Sequence, residues 1–239
     1  MYHKPPICTI CKALWDYGVN DTSQAISNAC LFDRETIAQA VSLWNLTSVQ
    51  VTLDGTRETY NRVKAFIYKD SDPYSHVLNH IEALSDAGIR VVIRLNLGLY
   101  NAEEMSALVS ELAERFYGRT NLKMYTRLLF ETAGNAPLNY DVGKRTALYQ
   151  KQQAIERQIF KYGFQPDIPL KRSICTTHCM ADKGSAIVIT PSGHIGLCEH
   201  YSGEYLIGHI AEEKTDFEMA EVYTQVQKFI KTLRKSGIL

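Results

Sequence analysis

Between residues 25 and 130, short β-branched runs alternate with longer segments whose apolar residues recur at helical spacing, and this restricts the chain to an α/β fold. Ala25-Ile26-Ser27 reads as a first strand. Asp33 is placed to cap a helix over Arg34 to Asn45 with Ile37, Ala40, Val41 and Trp44 on its apolar face. Val49, Val51 and Leu53 alternate with polar residues as a second strand, stopped by Asp54-Gly55, and a polar helical segment follows around Glu58 to Tyr68. Val77, Leu78, Ile81 and Leu84 predict a helix over Ser75 to Ala87, which Gly88 ends. The third strand, Ile89 to Leu95, is apolar except at Arg90 and Arg94, as expected of a parallel strand covered on both faces. A helix over Ala102 to Tyr117, a strand over Leu122 to Phe130 and a long helix from about Val142 to Tyr162 complete the series. Parallel strands joined by right-handed helical crossovers are the expected arrangement.

Length and composition set the outer limits. The chain has 239 residues, 45% of them apolar, enough for a substantial core, and its 26 basic and 26 acidic side chains cancel. That balance gives no footprint for a nucleic acid or an anionic membrane. No apolar run approaches the roughly 20 residues of a membrane helix, and Met1-Tyr-His-Lys-Pro-Pro is not a signal peptide, so we expect a cytoplasmic protein with reduced thiols. There, clustered cysteines point to metal or to chemistry more than to disulfides.

Such a cluster occupies Cys175 to His200. Ala186 to Thr190 and Ile195 to Cys198 flank the turn Pro191-Ser192-Gly193, a hairpin that carries Cys198 back towards Cys175 and Cys179. Thiolates are soft ligands that select zinc, copper(I) or iron-sulfur clusters, and the alternative is three inert core cysteines. Cys8 and Cys11 form a lone C-x-x-C, read either as a second metal half-site or as one helical turn whose cysteines pack. Gly163 to Arg172 reads as a linker into the cysteine unit, and Asp216 to Lys235 as a packed amphipathic surface helix.

In parallel α/β folds the working residues gather at the carboxyl ends of the strands, where loops vary over packed layers. Here those ends carry Ser27-Asn28, Thr52-Leu53-Asp54-Gly55, Arg94-Leu95-Asn96 and Glu131. Each has an ordinary explanation as a turn former or a solvated acid, but their recurrence on one rim marks a candidate site.

In this arrangement the chain resembles a radical S-adenosylmethionine enzyme with a SPASM domain. Ile26-Ser27-Asn28-Ala29 is similar to that family's TNG-like strand end, Thr52-Leu53-Asp54-Gly55 to its S-[LI]-D-G and Ile93-Arg94-Leu95-Asn96 to its I-R-x-N. Cys179, Gly193 and Cys198 match the SPASM spacing C-x(9-15)-G-x4-C, and Leu206 to Ile210 resembles the I-G-N-I after it. The resemblance covers roughly residues 25 to 215. It implies a partial TIM-type (β/α) barrel over 25–165, after an N-terminal segment 1–24 and before a SPASM-like β-hairpin and helix domain over 166–239. It also implies S-adenosylmethionine held against a [4Fe-4S] cluster that cleaves it to a 5′-deoxyadenosyl radical, and a peptide or protein substrate. By the same resemblance Asn28, Thr52, Asp54, Arg94 and Asn96 lie at the nucleotide pocket, and Cys175, Cys179 and Cys198 ligate an auxiliary [4Fe-4S] cluster. Glu199 stands where sulfatase-maturating relatives have a proton-accepting acid.

The sequence also departs from the family. It contains no C-x3-C-x2-C for the radical-generating cluster and no cysteine after Cys198, so the chain is expected to be truncated at both ends and inactive alone. His178, His194 and His200 are candidate substitute ligands. A barrel without its opening strands has an unpaired edge, to be covered by a missing N-terminal half or by self-association. The alternatives are a non-catalytic module that binds a peptide or partner, and a structural domain stabilised by zinc.

Overall fold

The computed structural model describes residues 22–64, 72–129, 132–133, 136–137, 142–166, 188–190, 194–196 and 206–209, with Cys11, Trp15 and Asp16. The chain divides into two units, Lys4–Leu170 and Lys171–Leu239 with Met1–His3.

The larger unit runs β1 (Ser23–Ser27), α1 (Arg34–Ser42), β2 (Leu46–Leu53), α2 (Arg57–Lys64), α3 (Pro73–Asp86), β3 (Arg90–Leu97), α4 (Met105–Arg115), β4 (Leu122–Leu128), β5 (Thr132–Ala133), β6 (Ala136–Pro137) and α5 (Val142–Lys161). Strands β1 to β4 form one four-stranded parallel sheet in sequential order, while β5 and β6 pair as a short antiparallel hairpin. Helix boundaries follow their caps. Asp33 accepts from the Thr36 amide at 2.8 Å to begin α1, and Asp72 accepts from the Ser75 amide to begin α3 beside Pro73. Helix α1 stops at Ser42 rather than Asn45. Asn45 takes φ 45°, a left-handed conformation that asparagine tolerates better than most residues, and turns the chain into β2. Trp44 still reaches the core from this turn, whereas Val41, expected on the apolar face of the helix, is exposed.

Alternate strand residues build the core. Val49, Val51 and Leu53 of β2, Val91, Ile93, Leu95 and Leu97 of β3, and Leu122, Met124 and Leu128 of β4 are buried on one face of the sheet. They share one cluster with Ile37 and Ala40 of α1, Ile81 and Leu84 of α3, Leu108 and Leu112 of α4, and Ile155 and Ile159 of α5. Cys11 is buried in the same cluster, in keeping with the packed reading of that residue. The opposite face was not foreseen. Rather than being covered on both faces, β3 buries one side and leaves Val92, Arg94 and Asn96 half-buried and Arg90 exposed, because most of the alternate positions on β2, β3 and β4 carry polar side chains.

The outer edge of β4 is sealed from within the chain. The Met124 amide donates to the Phe164 carbonyl at 2.7 Å, and the Thr126 amide donates to the Glu156 carboxylate of α5 at 2.6 Å. The buried Thr126 hydroxyl donates to the same carboxylate. Strand β1 has a neighbour on one side only among the described residues.

In the smaller unit, β7 (Val188–Ile189), β8 (His194–Gly196) and β9 (Leu206–His209) form an antiparallel sheet, with Ile189 opposite Ile195 and His194 opposite His209. The expected hairpin is therefore present, joined by a third strand. No helix among the described residues is long and apolar enough to cross a membrane.

Glu156 gives a test of this architecture. Glu156→Ala would leave the Thr126 amide and hydroxyl buried without an acceptor, at a cost of about 2–3 kcal/mol. Glu156→Gln keeps an acceptor and is expected to cost less than half as much in urea denaturation of the full chain; equal midpoints for Glu156→Ala and wild type would refute the role.

Candidate functional site

The carboxyl ends of β2 and β3 converge on Asp54, whose side chain is buried although it follows the last residue of a strand. Its Oδ1 accepts from the Asn96 carboxamide at 2.8 Å, and Asn96 Oδ1 in turn accepts from Arg94 Nε at 3.0 Å. Three of the predicted residues are thus joined in one chain of hydrogen bonds. Asp54 Oδ2 lies 3.1 Å from the Lys64 ammonium, an ion pair by distance, but makes no hydrogen bond of normal geometry. A buried carboxylate oxygen in that state retains acceptor capacity for a ligand. Thr52 stands beside Arg94 in the β2–β3 register, on the open face of the sheet.

Residues that were not predicted hold this arrangement in place. Asn101, almost wholly buried in the loop after β3, donates its carboxamide to the Asp54 carbonyl at 2.6 Å and the Asn96 carbonyl at 2.8 Å. Its Oδ1 accepts from the Gly98 amide at 2.8 Å, so one side chain ties the ends of both strands together. Glu104 stands at the cap position of α4 but makes no cap bond to its own helix. Its carboxylate reaches the start of α2, where it accepts from the Thr56 amide at 3.3 Å and from the Thr56 and Thr59 hydroxyls at 2.9 and 3.0 Å. An acid at that helix start meets unpaired amides and the positive end of the dipole. Gly55 is required beneath it: φ is 151°, and a Cβ there would sit 2.2 Å from Glu104 Oε1. Tyr100 folds over Gly98, and its phenol is pushed up by burial and by the Asp54 and Glu104 charges.

Asn28 is not part of this network. Its Oδ1 accepts from the Cys30 amide at 3.1 Å and Ser27 Oγ from the Ala29 amide at 3.0 Å, a turn that leaves Ala29 buried at φ 57°. The His80 ring bonds the Ala29 carbonyl at 2.8 Å, which fixes the turn against α3. Cys175, Cys179, Cys198, Glu199, Glu131, Cys8, His178 and His200 lie outside the described residues. His194 is half-buried in β8, its amide donating to Thr190 Oγ1 at 3.0 Å. Among the described residues no group of three or more His, Cys, Asp or Glu is placed to hold a metal ion.

Two sequence signals pointed to the missed residues. Asn101 follows Gly98 on a strand-end loop, the class of position already singled out at Asp54 and Asn96, and Glu104 was absorbed into a helix expected from Ala102 that begins only at Met105. The rim offers a guanidinium that donates, a buried carboxylate that accepts and carboxamides that do both. The chain matches no protein-family model and no curated protein.

Asn101→Asp preserves shape but replaces the donating nitrogen with an oxygen facing two carbonyls. We expect about 2–4 kcal/mol of destabilisation at neutral pH in urea denaturation. An unchanged midpoint would show that Asn101 does not tie the strand ends together.

Proposed function

We propose that this chain is a radical S-adenosylmethionine protein of the peptide- or protein-modifying, SPASM-containing kind, and that its four-stranded sheet is the central part of that family's partial barrel. The observation that carries the reading is the hydrogen-bonded series Asp54–Asn96–Arg94 at the carboxyl ends of adjacent parallel strands. Sequential strand order with one helix-covered face supports the barrel assignment, since in a barrel the uncovered face is the interior. The three-stranded sheet of Val188–Ile189, His194–Gly196 and Leu206–His209 supports the SPASM assignment, with Cys175, Cys179 and Cys198 as proposed ligands of an auxiliary [4Fe-4S] cluster.

In this reading Arg94 binds the carboxylate of S-adenosylmethionine. Asp54 and Asn96 orient its ribose hydroxyls or ammonium, with Thr52 beside them and Asn28 on the neighbouring strand end. Bound S-adenosylmethionine would supply the hydrogen-abstracting radical once cleaved by a [4Fe-4S] cluster. The sequence has no C-x3-C-x2-C to hold that cluster, so the chain's own residues bind and orient without initiating cleavage. Glu199 is the proposed proton acceptor towards a peptide or protein substrate. The single pairing of β1 among the described residues supports a further polypeptide or a second copy at that edge.

Calorimetric titration tests this proposal. S-adenosylmethionine is expected to bind the full chain, and Arg94→Ala and Asp54→Asn each to weaken it roughly tenfold or more, the loss of a charged hydrogen bond. Absence of binding would overturn the nucleotide reading. After anaerobic reconstitution the chain is expected to retain iron and sulfide rather than zinc through Cys175, Cys179 and Cys198, and to yield no 5′-deoxyadenosine.

A further inference from the structure

The two carboxylate oxygens of Asp54 are not equivalent. Oδ1 accepts from the Asn96 carboxamide at 2.8 Å. Neighbours fix the orientation of that amide: a carboxylate can only accept and a guanidinium can only donate, so the Asn96 nitrogen faces Asp54 and its oxygen faces Arg94. Oδ2 is buried, lies 3.1 Å from Lys64 Nζ, and has no hydrogen-bond partner of normal geometry among the described residues. Lys64 is the last residue of α2, and its side chain is 22% exposed against 7% for that of Asp54. A pair so little exposed is only weakly screened by salt.

Two kinds of ligand group could use Oδ2, and Lys64 separates them. An ammonium would bring a second cation to a carboxylate already paired with one, and in a poorly solvated place the two like charges repel strongly. A hydroxyl carries no charge. It donates its proton to Oδ2 and accepts from the Lys64 ammonium, so it satisfies both members of the pair. The other acid beside the rim does not restore a place for a cation, because Glu104 gives Oε1 to the Thr56 amide and Oε2 to the Thr56 and Thr59 hydroxyls. Arg94 adds a further positive charge to the series, which sets two cations against the one acid that faces the rim.

We infer that Lys64 is a selectivity residue: through its pairing with Asp54, it makes the rim take a hydroxyl of the ligand at Asp54 Oδ2 and turn away an ammonium. The inference rests on the nucleotide-binding reading and narrows it. Of the two groups assigned there to Asp54 and Asn96, the ribose hydroxyls stay at Asp54, and the ammonium of S-adenosylmethionine goes elsewhere.

The test is calorimetric titration of the full chain with S-adenosylmethionine, adenosine, 2′-amino-2′-deoxyadenosine and 3′-amino-3′-deoxyadenosine, in a buffer that keeps the sugar amines protonated. At least one amino nucleoside is expected to bind wild type about tenfold or more weakly than adenosine. Lys64→Met, which keeps the side-chain length and removes the charge, is expected to close or reverse that gap. A merely structural Lys64 would lower all affinities together and leave their ratio unchanged. An Asp54→Asn, Lys64→Met double variant leaves no unpaired buried charge, so it serves where the single variant fails to fold, and it too is expected to close the gap. Equal binding of the three nucleosides by wild type, or a gap that the variants retain, would overturn the inference while S-adenosylmethionine binding leaves the nucleotide reading standing. A Lys64-dependent gap without S-adenosylmethionine binding would support the role of Lys64 and overturn the S-adenosylmethionine reading, and binding of none of the four overturns both.

Discussion

The rim of this sheet depends on the carboxamide of Asn101. Two parallel strands end side by side, and there the backbone carbonyls of Asp54 and Asn96 turn away from the ladder towards the buried Asn101. Buried carbonyls of that kind need donors, and one buried side chain supplies both. The same residue accepts from the Gly98 amide, so the loop that carries it is fixed by the strand ends it fixes. Asp54 and Asn96 then face each other at hydrogen-bond distance because their backbones are tied, and Arg94 is aligned through Asn96.

Glu104 extends that logic to the helix layer. A carboxylate at the start of α4 gives up its own cap and serves the start of α2, bridging two loops that follow different strands. Gly55 makes the approach possible, since any side chain there would meet the carboxylate. The Asp54-Gly55 pair therefore does two jobs at one turn: the acid faces the rim and the glycine admits the bridge. Tyr100 completes the surround, its phenol raised by burial and by both acids.

The elements were legible because each is specified locally. Asp33 and Asp72 cap, Gly88 stops α3 at φ 79°, and the β-branched runs of β2 and β3 carry their periodicity openly. The placement of Asp54, Arg94 and Asn96 at strand ends followed from the parallel α/β pattern alone. Asn101 was not legible because it joins Asn96 on the strand before it to Asp54 at the end of the neighbouring one, which only the register brings together, and Lys64 was not because it reaches Asp54 from the far end of a helix. The open face was hidden for a related reason: β3 alternates Arg90, Val92, Arg94 and Asn96 with larger aliphatics, and Val92 makes the run look apolar on both sides. Net neutrality concealed the charge segregation, since β1 to β4 carry cations and no acid.

The two edges of the sheet are unequal, and this sets the direction in which it can be extended. At β4 the outward amides of Met124 and Thr126 are already given to the Phe164 carbonyl and the Glu156 carboxylate. A strand arriving there would have to displace α5 and break bonds to a buried threonine, losing more than a new ladder returns. At β1 nothing comparable stands among the described residues, and Gln24 and Ile26 are exposed on the open face beside Ser48 and Gln50. Extension at β1 would continue the same open face past the rim at Asn28, leaving the cations of β3 and β4 at the opposite, closed side. The sheet is therefore extensible at one edge and closed at the other through one interaction, the Glu156 carboxylate of α5 accepting from the backbone of β4.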